Sequence, residues 1–247
     1  MNRERWRVWV HYPSWPCPRC QQGSFRLLST SIQKITSFQE RYERTAHSYN
    51  HHELLDRFTG HMQCDRPGCQ ETGTIAGNYL SHWLSDGTEE GLTEISYQVL
   101  SVVPAPLPFE VDQRIPKPIE HLVREAAALF WADHRAAASR VREVIEAVLT
   151  DLEIPTQDTK KGRLTLHRRI ELFAKLENEK WKEQAEVIEA AKWIGNDGTH
   201  DTVTRDECLD AFEMLELVLD DIYVRTRHDL LARVRERNAR HRGSKPS

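Results

Sequence analysis

The 247-residue sequence lacks the features that several large classes of protein require. It has no apolar run long enough to cross a membrane, which takes about 20 residues. It also has no glycine-rich phosphate loop, no dinucleotide-binding fingerprint and no His-Glu-x-x-His motif of the metallohydrolases. The N-terminal segment has no apolar stretch or small-residue cleavage site of the kind found in secretory signals. We therefore expect a cytoplasmic protein that makes no contact with a membrane.

The composition of the chain is typical of a folded protein with an uneven distribution of charge. Hydrophobic residues make up 39% of the sequence and charged residues 29%, and seven tryptophans argue against disorder. The net charge of -4 divides into +4 for residues 1–70, -14 for residues 71–224 and +6 for residues 225–247. A polyanion such as RNA or DNA should therefore meet the two basic ends first. Alternatively, the basic C-terminal segment is only a solvated helix end and tail.

Four of the five cysteines form two closely spaced pairs. Cys17 and Cys20 belong to the sequence Cys-Pro-Arg-Cys, and Cys64 and Cys69 belong to the sequence Cys-Asp-Arg-Pro-Gly-Cys. Short turns of this kind place two thiolates on one side of a tetrahedral zinc ion. Proline and glycine in or beside the turns favour the tight backbone that such a site needs. The spacing predicts one structural zinc ion that is bound by these four cysteines.

Other ligands and other roles for the cysteines remain open from the spacing. The histidines between the two pairs could replace one cysteine as a ligand, and these are His47, His51, His52 and His61. Redox chemistry at Cys17 and Cys20 is a further alternative, although no βαβ unit surrounds this pair. Cys208 lies in a helical stripe of apolar residues, which predicts a small buried hydrophobic side chain rather than a ligand.

The pattern of residues divides the chain into a β-rich part and a helical part. Residues 1–103 contain short strand candidates at 6–12, 24–35, 57–63, 72–75 and 94–103. Five prolines within residues 104–118 predict an extended linker. Apolar residues then recur at three- and four-residue steps, which predicts a helical bundle over residues 119–240 and a basic tail over 241–247. The expected fold class is α+β, with a β-rich zinc-binding module followed by an α-helical bundle.

The helical part contains one segment that interrupts the periodicity. Helices are predicted over residues 119–132, 134–152, 164–176 and 181–194, and a fifth begins at a capping box of Thr204 and Glu207. Gly195 is predicted to end the fourth helix, and the sequence Asn-Asp-Gly that follows predicts a turn. Asn196 and His200 could hold a phosphate or activate a hydroxyl here. Alternatively, they hydrogen-bond the turn and fasten the two helices together.

These motifs, in this order, resemble domain of unknown function 4145. The resemblance rests on the two cysteine pairs, the proline-rich segment, the helix sequence ASRVREVIEAVL and the sequence WIGNDGTH, and its helical part spans about residues 116–224. The family has an Arg-x-x-aliphatic-Glu signature and a Gly-Asn…His signature. In this chain they fall on Arg142, Ile145 and Glu146, and on Gly195, Asn196 and His200.

The resemblance also connects the chain to the HEPN group of helical domains, many of which are metal-independent ribonucleases. It implies that His200 acts as general acid and base and that Asn196 positions the phosphate. Active HEPN members carry an arginine a short spacer before the histidine, and Gly195 stands at that place. Lys192 or Arg142 could supply the missing positive charge. Arg142 and Glu146 are four residues apart, however, and could simply form an ion pair.

Two functions are consistent with the sequence. The resemblance implies a zinc-containing, HEPN-like component of a prokaryotic defence or restriction system, which binds RNA or DNA and has degenerate or absent ribonuclease activity. The alternative is a non-catalytic module that binds a protein partner or a second copy of itself through the helical bundle. The missing arginine and the acidic middle of the chain favour this alternative.

Overall fold

A computed structural model describes most of the chain, and it forms two compact units. The described residues are 3–36, 38, 41–42, 53–84, 92–158, 162–176, 180–197, 203–224, 234 and 237–238. The first unit consists of Met1–Pro108 and Arg124–Ala137, and the second of Phe109–Val123 and Ala138–Ser247.

The first unit is built on an antiparallel sheet of six strands. The strands are β1 Ser14–Pro16, β2 Ser24–Leu27, β3 Gln33–Thr36, β4 Glu53–Cys64, β5 Thr72–Leu84 and β6 Leu92–Val103. Their order in the sheet is β1-β2-β4-β5-β6, and β3 also pairs with β4. The long strand β4 accommodates both short strands because β2 pairs with its last residues, Phe25 opposite Cys64, and β3 pairs with its middle, Gln33 opposite Thr59.

Two of the strand predictions for this unit are wrong in detail. The segment 24–35 forms two strands rather than one, because a 3-10 turn at Ser29–Ser31 separates them and the Ser31 hydroxyl donates to the Leu28 carbonyl at 2.7 Å. The segment 6–12 is not a strand. Trp6 ends a 3-10 helix, and only Val10 makes a bridge to the sheet, at Tyr97.

The physical reason for the second error is an aromatic cluster that takes up Trp6. This side chain is only 2% exposed and packs against Trp15, Phe130 and Trp131, with ring centroids 5.3 to 6.3 Å apart. Trp15 is anchored in turn by its indole N–H, which donates to the Arg5 carbonyl at 2.7 Å. Burial in this cluster outweighs the weak alternation that suggested a strand.

Five α-helices lie within the described residues. They are α1 Lys117–Phe130, α2 His134–Asp151, α3 Leu166–Ala174, α4 Lys182–Asp197 and α5 Arg205–Leu219. A two-stranded ribbon, β7 Gln157–Asp158 and β8 Gly162–Arg163, lies between α2 and α3, and α5 continues as a π-helical turn at Asp220–Val224. The α+β class is therefore confirmed. Each of these helices is too short or too polar to cross a lipid bilayer.

Local signals predict the start of α5 well. The Thr204 side chain accepts from the Glu207 amide at 3.2 Å, and the Glu207 carboxylate accepts from the Thr204 amide at 2.8 Å, so the predicted capping box is confirmed. Cys208 is fully buried on the same helix, and burial raises the pKa of its thiol to about 12. The prediction that Cys208 is a buried hydrophobic residue is confirmed as well.

The proline-rich segment 104–116 contains neither helix nor strand, as its prolines predict. Its apolar side chains are nevertheless buried, and these are Leu107, Phe109, Val111 and Ile115. The helix that follows begins at Lys117 and carries Pro118 in its first turn, where a missing amide N–H costs nothing.

Candidate metal centre

The structure brings the four predicted cysteines together. The sulfur atoms of Cys17, Cys20, Cys64 and Cys69 all lie within 4.8 Å of one another. The Sγ atoms of Cys17 and Cys69 are 3.8 Å apart, and so are those of Cys20 and Cys64. Tetrahedral zinc–sulfur bonds of about 2.3 Å place neighbouring sulfurs about 3.8 Å apart. The cluster thus has the composition and the spacing of a metal site.

The sheet brings the two distant pairs to the same place. Cys17 directly follows β1, and Cys64 is the last residue of β4. Strand β2 lies between these two strands and pairs with both. Two backbone hydrogen bonds fix the cysteines on either side, since the Cys17 amide donates to the Gly23 carbonyl at 2.9 Å and the Cys64 amide donates to the Glu71 carbonyl at 2.8 Å. The pairing order of the strands therefore positions the four cysteines.

Both turns that carry the cysteines close in the same way. The residue after the second cysteine has a left-handed backbone in each turn, with φ 53° at Gln21 and 49° at Gln70. The amide of Gln21 donates to the Cys17 carbonyl at 2.9 Å, and the amide of Gln70 donates to the Arg66 carbonyl at 3.1 Å. The sequence suggests Gly68 as the residue that gives the second turn its conformational freedom, but the positive φ belongs to Gln70. The Cys-Gln dipeptide, which occurs in both turns, therefore marks the left-handed residue better than Gly68 does.

Backbone amides also point at the sulfur atoms. The amide of Gly23 lies 3.4 Å from the Sγ of Cys20, and the amide of Arg66 lies 3.5 Å from the Sγ of Cys64. Such donors stabilise a thiolate over a thiol. Gly23 is required for a second reason, because a Cβ at this position would lie 2.5 Å from the Cys64 Sγ. Sequence reasoning missed Gly23, since nothing in its spacing distinguishes it from a turn residue.

The pKa values of the thiols differ within the cluster, because burial and nearby amides act on them in opposite directions. Burial raises the pKa of Cys17 to about 12 and also raises that of Cys64. Desolvation acts against ionisation at Cys20 too, but the amides of Gln22 and Gly23 and the neighbouring thiols hold its pKa at about 6. This lowered pKa favours the thiolate form of Cys20 at neutral pH. A divalent cation would compensate the charge of the others.

Histidine does not contribute to this cluster within the described residues. His61 is exposed on β4 and is not part of the group of four sulfurs. His47, His51 and His52 lie outside the described residues.

A layer of polar contacts surrounds the two turns. Asp65 accepts from the Ser24 amide at 2.8 Å and forms an ion pair of 2.8 Å with Arg26. Arg19, in the first turn, is 67% exposed and lies 3.7 Å from Glu71. Arg66, in the second turn, is also exposed. Each cysteine turn therefore presents one arginine to solvent.

The second predicted group of site residues is only partly described. Arg142 and Glu146 lie on α2 and form the expected ion pair, with Nε and Oε1 3.6 Å apart. Lys192 is only 4% exposed; its Nζ contacts the Glu189 carboxylate and lies 4.1 Å from the centre of the Trp193 ring. It therefore does not present its charge to solvent.

The prediction that α4 ends at Gly195 is wrong. The helix continues to Asp197, so the backbone of Asn196 is helical and the predicted turn cannot begin there. A Cβ on Gly195 would lie 3.0 Å from the Ala138 carbonyl and 3.1 Å from the Arg142 Cβ. The glycine is thus explained by close packing of α4 on α2. This contact also places Arg142 beside Gly195. His200 lies outside the described residues.

Comparison with known families assigns both parts of the chain. Residues 124–238 match the family described as Domain of unknown function (DUF4145), and residues 9–100 match the family described as Domain of unknown function (DUF8608). The match over residues 124–238 agrees with the family that the sequence motifs indicate. The four cysteines all lie in the segment that matches domain of unknown function 8608. No curated protein and no solved structure matches the chain.

Proposed function

We propose that the protein is a zinc-containing, HEPN-like nucleic-acid-binding protein of the type associated with prokaryotic defence and restriction. The zinc ion is structural, and the ribonuclease activity is degenerate or absent. The observation that carries the proposal is the pair of exposed arginines, Arg19 and Arg66, on the two cysteine turns.

The donor set supports zinc in a structural role. Four thiolates with sulfur separations of 3.8 Å match the closed tetrahedral coordination of structural zinc, whereas catalytic zinc keeps one position open for water. Cys17 and Cys64 are almost fully buried, which leaves little room for a substrate. The metal would therefore hold two strands and two turns together in a unit whose sheet has several short strands.

The charge of the turns supports contact with a polyanion. Arg19 and Arg124 line a cavity of about 250 Å³ beside the first turn. Arg26 is 60% exposed on the adjacent strand β2, where it also pairs with Asp65. Guanidinium groups bind phosphate oxygens through two parallel hydrogen bonds, and they contribute most of the affinity when no base is recognised. A surface with several arginines beside a rigid metal site is suited to the phosphate backbone of a single strand.

The surroundings of the HEPN-like signatures support a degenerate activity. Gly195 packs against α2 and offers no charge. Lys192 is buried on Glu189, and Arg142 is engaged with Glu146. A cation that is already paired stabilises the transition state of phosphoryl transfer less than a free one.

Elemental analysis and one pair of variants test the zinc. The purified full-length protein, kept reduced and free of chelator, should contain one zinc per chain. Cys64→Ser should lose the metal and yield unfolded or aggregated protein, since metal binding of this kind is coupled to folding. Cys208→Ala removes a buried thiol elsewhere and should retain the zinc. Wild-type protein without zinc, or equal zinc in both variants, would contradict the assignment.

Binding of a fluorescent single-stranded RNA, measured over a range of salt concentrations, tests the arginine surface. The double variant Arg19→Gln, Arg66→Gln should bind more weakly, and the slope of log K against log salt should fall by about 0.7 for each phosphate that the variant no longer neutralises. Arg57→Gln is the matched control, because Arg57 is exposed on β4 about 23 Å from Cys64, at roughly 3.3 Å per residue. An unchanged slope in the double variant would show that this surface does not bind the RNA.

Incubation of the protein with the same RNA, without added metal, tests for ribonuclease activity. We expect no cleavage by the wild-type protein. Cleavage that disappears in stably folded His200→Ala would show an active HEPN-type nuclease instead.

Exposed apolar side chains on the helical bundle favour the alternative function, a module that binds a protein partner or a second copy of itself. Trp193 on α4 is 54% exposed and Leu217 on α5 is 47% exposed, and large apolar side chains of this kind are common in interfaces. Sedimentation of the wild type and of Trp193→Glu would show whether the bundle self-associates. A dimer that dissociates in the variant, together with no RNA binding, would favour the interaction module.

A further inference from the structure

The first unit contains a large cavity between the two ends of its sheet. Its volume is about 830 Å³, within the range of roughly 300–1,000 Å³ that is typical of small-molecule sites. Strands β1 and β2 line it from one end of the strand order, and β6 lines it from the other. The lining residues all belong to the first unit and include none of the four cysteines. The first and last strands of the sheet therefore share one cavity.

The outer edge of β6 pairs with Val10 beside this cavity. Tyr97 and Val10 exchange two backbone hydrogen bonds, of 3.0 and 2.8 Å. Because the backbone groups of an antiparallel strand alternate between its two edges, those of Ile95 face the same outer edge. The Ile95 carbonyl accepts a hydrogen bond of 2.9 Å from the ring of His11. The Ile95 amide faces this edge too, where it can donate to the carbonyl oxygen of a ligand.

His11 and Glu94 form a pair of hydrogen-bond acceptors on the β6 side of the cavity, which both residues line. A carbonyl oxygen can only accept, so Nδ1 of His11 carries the ring proton and Nε2 of the neutral ring is left as an acceptor. This nitrogen lies 3.5 Å from Oε1 of Glu94. A primary ammonium group has three donors and one positive charge, so it matches two acceptors of which one is a carboxylate.

The β1 side of the cavity carries positive charge. Arg5 is exposed and lines the cavity, and its backbone is held beside β1 because its carbonyl accepts from the Trp15 indole at 2.7 Å. Within the described part of the chain, the Arg5 guanidinium makes no ion pair. Ser14 lines the same side and offers a hydroxyl, whereas Arg26 is paired with Asp65. An unpaired guanidinium beside a hydroxyl is suited to a carboxylate.

A third part of the lining is apolar, and its residues are Pro13, Leu27, Ile32, Ile95 and Tyr97. The cavity thus combines an ammonium site, a carboxylate site, an apolar surface and a strand edge. A sphere of this volume is about 12 Å across, and an extended tripeptide spans about 10 Å at roughly 3.3 Å per residue. A peptide of this length matches the cavity in both size and chemistry.

We propose that this cavity binds a short peptide with free ends, of about three residues. Its ammonium group contacts Glu94 and His11, and its first carbonyl accepts from the Ile95 amide. Its carboxylate contacts Arg5, and an apolar side chain fills the space beside Leu27. The site uses neither of the arginines on the cysteine turns, so it is independent of the proposed function.

Isothermal titration of the full-length protein with the tripeptide Ala-Leu-Ala tests the site. The N-acetylated and the C-amidated tripeptides are separate probes, because each lacks one of the two terminal charges. The free tripeptide should bind, and each modification should weaken binding about tenfold, as expected for the loss of a charge-assisted hydrogen bond. No binding by Ala-Leu-Ala, or equal affinity for the free and the modified forms, would overturn the proposal.

Two variants connect each end of the peptide to one residue. Glu94→Gln should weaken binding of the free tripeptide about tenfold and leave the affinity for the N-acetylated form unchanged. Arg5→Gln should weaken binding of the free tripeptide by a similar factor and leave the affinity for the C-amidated form unchanged. A merely structural role of either residue would weaken the binding of all three probes together, and this result would contradict the assignment.

Glu4→Gln and Arg7→Gln are the matched controls for these changes of charge. Both residues are exposed neighbours of Arg5, pair with each other at 2.6 Å and do not line the cavity. The controls should bind the free tripeptide as the wild type does. Losses in the controls as large as those in Glu94→Gln and Arg5→Gln would show that the tripeptide binds elsewhere.

Discussion

The guanidinium group of Arg124 donates a hydrogen bond from Nη1 to the carbonyl oxygen of Pro18, at 2.9 Å. Pro18 lies between the first two cysteines, whereas Arg124 lies on α1, and both belong to the first unit. Arg124 is also the first residue of the segment that matches domain of unknown function 4145. The first cysteine turn is therefore hydrogen-bonded to a helix residue that is distant in sequence.

Removal of this hydrogen bond should loosen the metal site without abolishing it. Outer partners of metal ligands contribute about 10- to 100-fold in metal affinity, and Arg124 supports the turn rather than a ligand atom. We expect Arg124→Gln to bind zinc about tenfold more weakly in competition with a chromophoric chelator. Arg135→Gln, an exposed arginine of the same unit, is the control and should leave the affinity unchanged. Equal affinities for wild type and Arg124→Gln would show that this hydrogen bond does not support the turn.

Two glycines near the cysteines should respond in opposite ways to a methyl group. In Gly23→Ala the new Cβ would lie 2.5 Å from the Cys64 Sγ and 2.9 Å from the Arg66 Cβ, so the cluster must distort. In Gly68→Ala the Cβ meets nothing within 4 Å. Zinc content and thermal stability should therefore be strongly reduced in the first variant and unchanged in the second. Full zinc content in Gly23→Ala would contradict the cluster geometry.

Gly195→Ala should destabilise the second unit although alanine is the better helix former. Alanine gains up to about 1 kcal/mol in helix propensity. The Cβ would press on the Ala138 carbonyl and the Arg142 Cβ, however, and overpacking of this kind costs about 1–3 kcal/mol. We expect a net loss of roughly 1 kcal/mol in urea unfolding followed by circular dichroism. The exposed position Glu186→Ala on the same helix should change stability by less than about 0.5 kcal/mol. Stabilisation by Gly195→Ala would show that α2 shifts to accommodate the new methyl group at little cost in free energy.

Asp112 should make stability depend on pH in the acid range. Hydrogen bonds from the Arg114 guanidinium and amide, at 2.8 to 2.9 Å, lower the pKa of Asp112 to about 2. Because the folded pKa is depressed, the contribution is complete above the ordinary value of 3.8 and is lost as the pH falls towards about 2. Asp112→Asn should therefore lower the urea midpoint at pH 5 more than at pH 3.

The matched control for this prediction is Glu110→Gln, at an exposed position two residues earlier. It should shift the midpoint equally little at both pH values. Comparison of variants at the same pH also removes the effect of metal loss in acid, which all of them share. An equal shift for Asp112→Asn at pH 5 and pH 3 would contradict the assignment.

Short-range patterns in the sequence are sufficient to predict several features. The capping box of Thr204 and Glu207 and the buried position of Cys208 are predictable because their determinants lie within one or two helical turns. The helices are predicted to within a few residues for the same reason. The two cysteine turns are also predictable, since each cysteine pair lies within a few residues of sequence.

Other features depend on partners that are far apart in the chain. The place of Trp6 in an aromatic cluster and the role of Gly23 against Cys64 cannot be recognised from their neighbours in sequence. Gly195 illustrates the same limit. Its local context is typical of a helix end, but the packing against Ala138 explains it as a position inside the helix.

The sequence alone determined the α+β class, the cysteine pairs and the starts of most helices, because hydrophobic period, turn residues and caps act over a few residues. Only the tertiary structure decided how the cysteines meet, since the order of β1, β2 and β4 in the sheet brings together residues that are 44 and 52 positions apart. The tertiary structure also decided which positive side chains are exposed to solvent. Both Arg19 and Lys192 lie beside a glutamate, but Arg19 is exposed on its turn whereas Lys192 is buried against Glu189, and residue type and spacing do not predict this difference.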